Sequence, residues 1–125
     1  MTYFVDANII IKAFTTNKDK EDCKDILRKQ FITNSLCLVE AYDSICTIIN
    51  DKNRATNYIK SLYKSDCKII ELDSNLLFES LKRVEKYNLN IFDLIHYTTA
   101  LLNNCSEIVT YNHDFDNLEI KRIEP

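Results

Sequence analysis

The 125-residue sequence contains no glycine, and this absence argues against several classes of function. Phosphate-binding loops, dinucleotide-binding turns and the nucleophile elbow of serine hydrolases each need glycine where the backbone approaches a phosphate or turns at positive φ. Nucleotide cofactors and serine-hydrolase chemistry are therefore disfavoured. Turns must use asparagine and aspartate instead, and Asn88 is predicted to replace glycine at the end of a helix.

Other features are also scarce. The five cysteines are odd in number, are widely spaced and include no CxxC pair, which predicts free thiols and argues against a zinc site. No apolar run approaches the roughly 18 residues needed to cross a bilayer, and the N-terminus lacks the pattern of a secretory signal. A cytoplasmic protein without a membrane segment is expected. The net charge of −3 disfavours broad attraction to nucleic acid but leaves open a local, metal-bridged site.

The order of elements predicts one α/β domain spanning residues 1–125. A first apolar strand runs directly into Asp6. Later strands are predicted at 31–33, 68–72, 108–111 and 119–123, and helices at 9–14, 19–30, 34–49, 51–63, 73–87 and 91–103. Helical spacing further predicts that Val39 and the set Leu77, Leu81 and Val84 face the core.

Four acids lie at equivalent positions, each at the end of a predicted strand or near the start of a predicted helix. Asp6 ends the first strand, Glu40 lies early in the helix after the second strand, Asp93 opens the most apolar helix, and Asp114 follows the fourth strand. In a parallel sheet the strand ends and the following helix starts share one edge, so these carboxylates are expected to converge. Each acid alone could equally be a helix cap that complements the helix dipole.

Clustered carboxylates suit hard divalent ions, because Mg²⁺ and Mn²⁺ prefer oxygen ligands. Two such ions can activate a water and stabilise a leaving oxygen, which cleaves a phosphodiester without a protein nucleophile. Without metal, the carboxylates would repel one another and at least one pKa would rise. The sequence therefore predicts a Mg²⁺ or Mn²⁺ site built on these acids.

Four segments carry a resemblance to a known family. Val5-Asp6-Ala7-Asn8, Glu40 in its apolar helix, Asp93-Leu94-Ile95-His96 and the segment from Thr110 to Phe115 resemble the motif regions of PIN-domain nucleases. Length and motif order are similar to those of the VapC-type toxins of toxin–antitoxin systems. The resemblance implies a compact three-layer α/β/α domain with a short, mainly parallel sheet and a metal-dependent endoribonuclease activity. It also implies homodimerisation and, for the toxins, inhibition by an antitoxin protein.

The resemblance also assigns roles. Asp6, Glu40 and Asp93 map onto metal ligands, and Asn8 and Thr110 onto hydrogen-bonding supports. Many members carry an acid where this chain has Asn112, a neutral amide, so Asp114 becomes the substitute fourth ligand. RNA, as extended single strands or loops, would reach these acids past nearby cations that include Lys12.

Rival interpretations remain open at this stage. Asn112 motivates a degenerate PIN domain that binds RNA or protein without catalysis, and a PIN nuclease of RNA processing outside a toxin–antitoxin pair is a further alternative. A phosphatase with Asp6 as nucleophile fits poorly, since such enzymes carry a second acid where this chain has Asn8. His96 and His113 are interpreted as structural residues, and Asp43 and Asp116 as supporting or surface residues.

Overall fold

Five short strands and six helices make up the computed structural model, which describes residues 2–125. The strands are β1 (Tyr3–Val5), β2 (Ile32–Asn34), β3 (Lys68–Ile70), β4 (Glu107–Val109) and β5 (Lys121–Ile123). The helices are α1 (Ala7–Ala13), α2 (Lys20–Leu27), α3 (Ser35–Ile49), α4 (Lys52–Leu62), α5 (Ser74–Leu81) and α6 (Ile91–Leu102), and a 3₁₀ turn covers His113–Phe115. Residue 1, the first residue of the predicted domain, lies outside the described part.

The strands form one sheet in the order β3-β2-β1-β4-β5, and every neighbouring pair is parallel. Phe4 of the central strand lies opposite Ile32 on one side and Ile108 on the other. From β1 the chain first builds outward through β2 and β3, and then continues on the opposite side of β1 with β4. The order therefore reverses between β1 and β4, and the prediction of an α/β fold with a mainly parallel sheet is confirmed.

The helices cover both faces of this sheet. The main helix contacts join α1 with α2 and α3, α3 with α4, and α5 with α6. Because crossovers between parallel strands are right-handed, these two groups lie on opposite faces. The core between them is apolar, with Phe4, Val5, Ile108 and Val109 of the two central strands fully buried.

Side-chain caps explain where the helices begin. Asp6, Asn34, Asp51, Asp73 and Asn90 each accept a hydrogen bond from a backbone N–H in the first turn of α1, α3, α4, α5 and α6 respectively. Such a cap satisfies one of the donors that a helix start leaves free. The first helix begins at Ala7 rather than at residue 9 because Asp6 is its cap.

The segment after β3 differs from the prediction. Helix α5 ends at Leu81, not near Tyr87, and tight turns follow it through Lys86. Asn88 is therefore not needed as a glycine substitute. Within residues 2–125, positive φ angles occur instead at Asn50, Asn104 and Asn117, with values of 51°, 56° and 61°. Asparagine does replace glycine in this chain, but at other turns.

Two predictions about inward faces are wrong. Val39 is 64% exposed on α3, and Leu77, Leu81 and Val84 are also exposed. In α5 the buried residues are instead Leu76 and Ser80. Apolar residues lie on two sides of that helix, so spacing alone does not identify the buried side. Each helix in the described part of the chain is too short or too polar to cross a bilayer.

Candidate active site

The site lies at the carboxyl ends of β1 and β4, where the strand order reverses. Open parallel sheets form a crevice at such a point because the connections leave it toward opposite faces. Asp6 follows β1 directly, and the segment from Thr110 to Asp114 follows β4. The backbone N–H of Asp6 donates to the carbonyl of Val109 over 3.1 Å, which ties the two strand ends together.

Asp6 is only 5% exposed, and both of its carboxylate oxygens accept hydrogen bonds. Oδ1 accepts from the backbone of Ala7 at 2.7 Å, while Oδ2 accepts from Asn8 Nδ2 at 3.1 Å and from the Thr110 hydroxyl at 2.8 Å. Asn8 also accepts from the backbone N–H of Tyr111 at 3.2 Å. Asn8 and Thr110 thus hold the Asp6 carboxylate in a fixed orientation.

Asp93 stands in the first turn of α6, close to the segment after β4. Its Oδ2 accepts from Asn112 Nδ2 at 3.0 Å and from Asn90 Nδ2 at 3.1 Å. The backbone N–H of Asn112 donates to Thr110 Oγ1 at 3.0 Å. Through Asn112 and Thr110, a continuous chain of hydrogen bonds joins Asp93 to Asp6.

Glu40 reaches the site from α3 and is held by a histidine. Its Oε1 lies 2.7 Å from Nε2 of His96, a side chain that is 1% exposed one turn after Asp93 on α6. His96 is buried and hydrogen-bonded, and its contact with Glu40 is not indicated by the sequence.

Asp114 lies in the 3₁₀ turn after β4 and is exposed. Its backbone N–H donates to Oδ1 of Asn112 at 3.0 Å, so the single amide of Asn112 contacts both Asp114 and Asp93. Within residues 2–125 the Asp114 carboxylate has no hydrogen-bond partner, which leaves its oxygens free.

Burial raises the pKa of Asp93, the hydrogen bond from Asn112 opposes that rise, and the negative charges of Asp6 and Asp114 add to it. A carboxylate responds in this way when it is partly desolvated beside other carboxylates. Asp6, Asp93 and Asp114 therefore interact electrostatically. The structure brings these three acids to one edge of the sheet, and His96 connects Glu40 to the same place.

No lysine or arginine in residues 2–125 forms an ion pair with any of these four acids, whereas acids elsewhere on the surface do pair with cations. Lys12, expected to guide RNA, pairs with Asp19 at 2.8 Å and lies 4.9 Å from the ring centroid of Tyr111. In the described part of the chain, the site therefore concentrates negative charge without a lysine or arginine to balance it.

Several polar residues of the site were missed by the sequence prediction. Asn34, expected only as a helix cap, also contacts His96 and Thr99, and Asn90 contacts Asp93. The available signal was the pair His96 and Thr99 within the mostly apolar helix α6, because buried polar side chains require partners. The identity of those partners depends on the tertiary fold.

The parallel sheet with helices on both faces defines a doubly wound α/β protein, and its acids lie at the switch point, where the strand order reverses. The sequence profile of the PIN domain matches residues 3–121, so this chain belongs to the PIN-domain family. Membership of this family supports a hydrolytic nuclease activity. Among curated proteins, none matches the sequence significantly.

Solved structures share the fold at low sequence identity. The toxin VapC20 of Mycobacterium tuberculosis, described as cleaving the sarcin–ricin loop, has a TM-score of 0.81 at 12% identity, over 98% of this chain and 99% of that one. A toxin–antitoxin complex from Klebsiella pneumoniae gives 0.76 at 19% identity, over 97% and 95% of the two chains. VapBC2 of Rickettsia felis, solved with a promoter DNA fragment, gives 0.71 at 18%, over 99% and 98%.

Proposed function

We propose that this protein is a metal-dependent endoribonuclease and a VapC-type toxin. The observation that carries the proposal is the set of carboxylates at the switch point that have no lysine or arginine partner among residues 2–125. Keeping several charges together in a partly buried place costs stability unless something compensates them. A divalent cation would supply that compensation.

The donor set fits a hard ion. Asp6, Glu40, Asp93 and Asp114 would hold Mg²⁺ or Mn²⁺ through oxygen atoms, which both ions prefer. When bound, the metal supplies an activated water and neutralises charge on the phosphodiester. Asn8 and Thr110 orient Asp6 through their contacts with Oδ2, and Asn112 orients Asp93. These residues set the acids in place before an ion arrives.

RNA is the proposed substrate, and the protein is proposed to act in the cytoplasm. Support comes from the similarity in fold to a toxin described as cleaving the sarcin–ricin loop. A single-stranded or loop segment suits the site, since unstacked nucleotides enter a small crevice more readily than a duplex does. The partner is proposed to be an antitoxin protein, because two structures of the same fold are toxin–antitoxin complexes.

The protein is also proposed to form a homodimer. Helices α5 and α6 pack against each other, and they and the segment joining them carry a group of exposed apolar side chains, here called the α5–α6 apolar surface. It consists of Leu77, Phe78, Leu81, Val84, Ile91 and Phe92. A group of six exposed apolar side chains is more typical of an interaction site than of surface that stays in contact with solvent.

A cleavage assay tests the nuclease. Purified wild-type protein is incubated with a mixed pool of structured RNAs, once with Mg²⁺ or Mn²⁺ and once with EDTA. The Asp6→Asn variant is incubated with the same pool and the same metal ions. Asp43→Asn, which changes an exposed aspartate of α3, is the matched control. We expect cleavage that needs both metal and Asp6 and that Asp43→Asn retains. Absence of cleavage together with absence of bound metal in calorimetry would reject the proposal.

A binding module without catalysis is the second candidate, and Asn112 favours it. The amide provides no charge for a cation, and its Nδ2 is turned toward Asp93. The same RNA pool separates the two functions. A binding module would shift RNA in a gel in the presence of EDTA and leave its length unchanged after metal is added.

A further inference from the structure

A buried polar network lies beneath Glu40, and its chemistry determines the state of one histidine. His96 is sealed from solvent, and its two ring nitrogens have different partners. Nε2 lies 2.7 Å from Glu40 Oε1, and Nδ1 lies 3.1 Å from Nδ2 of Asn34. Which nitrogen carries the proton depends on how Asn34 is oriented.

The orientation of Asn34 is fixed from two sides. Its Oδ1 accepts the backbone N–H of Cys37 at 2.8 Å, as required of the cap of α3. Its Nδ2 also donates to Thr99 Oγ1 at 2.9 Å, and the Thr99 hydroxyl donates in turn to the carbonyl of Ile95 at 2.8 Å. The NH₂ end of Asn34 therefore faces His96 and donates to Nδ1.

An Nδ1 that accepts this hydrogen bond carries no proton. A neutral imidazole then has its proton on Nε2, which donates to the carboxylate of Glu40. Burial lowers the pKa of His96, but Cys37, Glu40 and Asp6 outweigh it and raise that pKa well above the usual value. The largest raising contribution requires a negative Cys37, whose own pKa is raised by burial so that it stays a neutral thiol. The donor contact from Asn34 to Nδ1 therefore decides the state of the ring, which is neutral with its proton on Nε2.

Cys37 lies next to the ring but does not form a metal site with it. Its Sγ is 3.4 Å from Nδ1 and 3.8 Å from Nε2, within hydrogen-bond distance for sulfur, and it is 4.0 Å from Oδ1 of Asp6. Asp6, Cys37 and His96 are close enough to resemble a three-ligand cluster. The direction of the ring nitrogens toward Asn34 and Glu40 excludes that use, and burial raises the pKa of the Cys37 thiol.

We propose that His96, held in its Nε2–H form by Asn34, is a positioning residue for Glu40. Its hydrogen bond occupies Oε1 and leaves Oε2 to bind a cation. The Glu40 side chain is 37% exposed and long, so without this bond it would sample several rotamers. The inference rests on the proposed metal-dependent function, because it gives Glu40 a ligand to orient toward.

In this arrangement, helix α6 positions two of the acids. Asp93 lies on it directly, and His96 one turn later fixes Glu40 of α3. Partners that orient ligands in this way typically change metal affinity about 10–100-fold when they are lost. His96 would therefore affect metal binding without contacting the metal.

Mn²⁺ binding by calorimetry, with RNA cleavage measured in parallel, tests the inference on the full chain. His96→Phe keeps a ring and removes the donor, and His96→Asn keeps a polar group that is too short to reach Glu40. His96→Gln restores a donor at the position of Nε2. We expect the first two variants to bind Mn²⁺ about tenfold or more weakly than wild type, and His96→Gln to stay within about threefold. Tyr97→Phe on the same helix, which removes the contact of the Tyr97 hydroxyl with the Ile120 N–H, is the control for loss of a buried polar group.

A spectroscopic measurement adds a result that a packing role would not produce. Nitrogen-15 spectra of the metal-free wild type should show His96 protonated at Nε2 and bare at Nδ1. A proton on Nδ1, or wild-type Mn²⁺ affinity in both His96→Phe and His96→Asn, would overturn the inference while wild-type cleavage leaves the proposed function intact. If the wild type itself binds no Mn²⁺ and cuts no RNA, both proposals fail together.

Discussion

Asn112 donates its side-chain amide to Oδ2 of Asp93 over 3.0 Å, at the position where many PIN domains are expected to carry a carboxylate. The contact converts an expected repulsion between two acids into a hydrogen bond. A hydrogen bond to a charged group contributes about 1.5–3 kcal/mol, so Asn112 stabilises the metal-free site. Because position 112 carries an amide and not a carboxylate, the site also has one fewer carboxylate able to bind a cation.

Asn112→Asp should destabilise the metal-free protein and strengthen metal binding. Without metal, the variant loses the donor and gains a charge beside Asp93, so its melting temperature in EDTA should fall by several degrees. Mn²⁺ should raise the melting temperature of the variant more than that of wild type, because another carboxylate is available. Thermal unfolding with EDTA and with Mn²⁺ measures both effects.

Asn53→Asp is the control, since it adds the same charge at an exposed position of α4. It should change neither the melting temperature in EDTA nor the response to Mn²⁺ by more than about a degree. If Asn112→Asp were as stable as wild type in EDTA, the contact with Asp93 would carry no weight in the metal-free protein.

Asp93→Asn should stabilise the metal-free protein while abolishing metal binding. Burial, together with the neighbouring charges of Asp6 and Asp114, raises the pKa of Asp93, so its charged form is disfavoured there. The amide keeps an oxygen to accept from Asn90 and Asn112 and removes the charge. For a domain of this size, about 1 kcal/mol corresponds to a rise of roughly 4 °C.

Thermal unfolding in EDTA and calorimetry with Mn²⁺ check both parts of this prediction. Asp25→Asn, which lies in an exposed ion pair with Arg28, is the comparison and should not be stabilised. A lower melting temperature for Asp93→Asn would mean that the charged Asp93 stabilises the fold, for example as a helix cap, and that its charge does not destabilise the metal-free protein.

Much of the fold follows from local signals in the sequence. Caps such as Asp51 and Asp73, and apolar runs such as the one that ends at Asp6, are read from neighbouring residues and need no tertiary information. The acids at strand and helix ends could be expected at one sheet edge because parallel connectivity brings those ends together. Their roles as metal ligands stay predictions.

What could not be predicted depends on contacts between distant segments. His96 meets Glu40 across 56 positions and Asn34 across 62, and no local pattern specifies either pair. In α5, the adjacent residues Leu76 and Leu77 have opposite environments, one buried and one exposed. A helix with apolar residues on two sides leaves the choice of buried side to the rest of the fold.

The contact of Glu119 with Tyr87 and Lys86 should make stability depend on pH in the acid range. Tyr87 donates to Oε1 of Glu119 at 2.8 Å and Lys86 lies 3.0 Å from the same atom, and these hydrogen bonds lower the pKa of Glu119. Because the folded pKa is below the unfolded value of about 4.3, the stabilisation is present above that pH and is lost as the pH falls through the folded pKa.

Glu119→Gln should therefore melt below wild type near neutral pH and approach it near pH 3. Melting curves over that range, followed by circular dichroism, provide the measurement. Glu71→Gln, an exposed glutamate without an ion pair in the described part of the chain, should track wild type throughout. A difference between Glu119→Gln and wild type that persists unchanged at low pH would assign the effect to packing.

Phe78→Glu should separate dimer formation from folding. Phe78 is the most exposed residue of the proposed α5–α6 apolar surface, at 60%, so replacing it removes little buried area from the isolated chain. The new carboxylate would lie one turn before Lys82, whose Nζ is 5.8 Å from the Phe78 ring centroid, and such i,i+4 pairs stabilise a helix slightly. In a symmetric dimer, the same change would bury a charge on both subunits, which is strongly unfavourable.

Light scattering after size-exclusion chromatography gives the result directly. Wild type should have twice the mass of the 14.7 kDa chain, and Phe78→Glu should have the mass of one chain, with circular dichroism unchanged. Tyr63→Glu, at an equally exposed aromatic residue that ends α4, is the control and should remain a dimer. A dimeric Phe78→Glu would place the subunit contact elsewhere, and a monomeric wild type would leave the apolar surface free to bind a different protein.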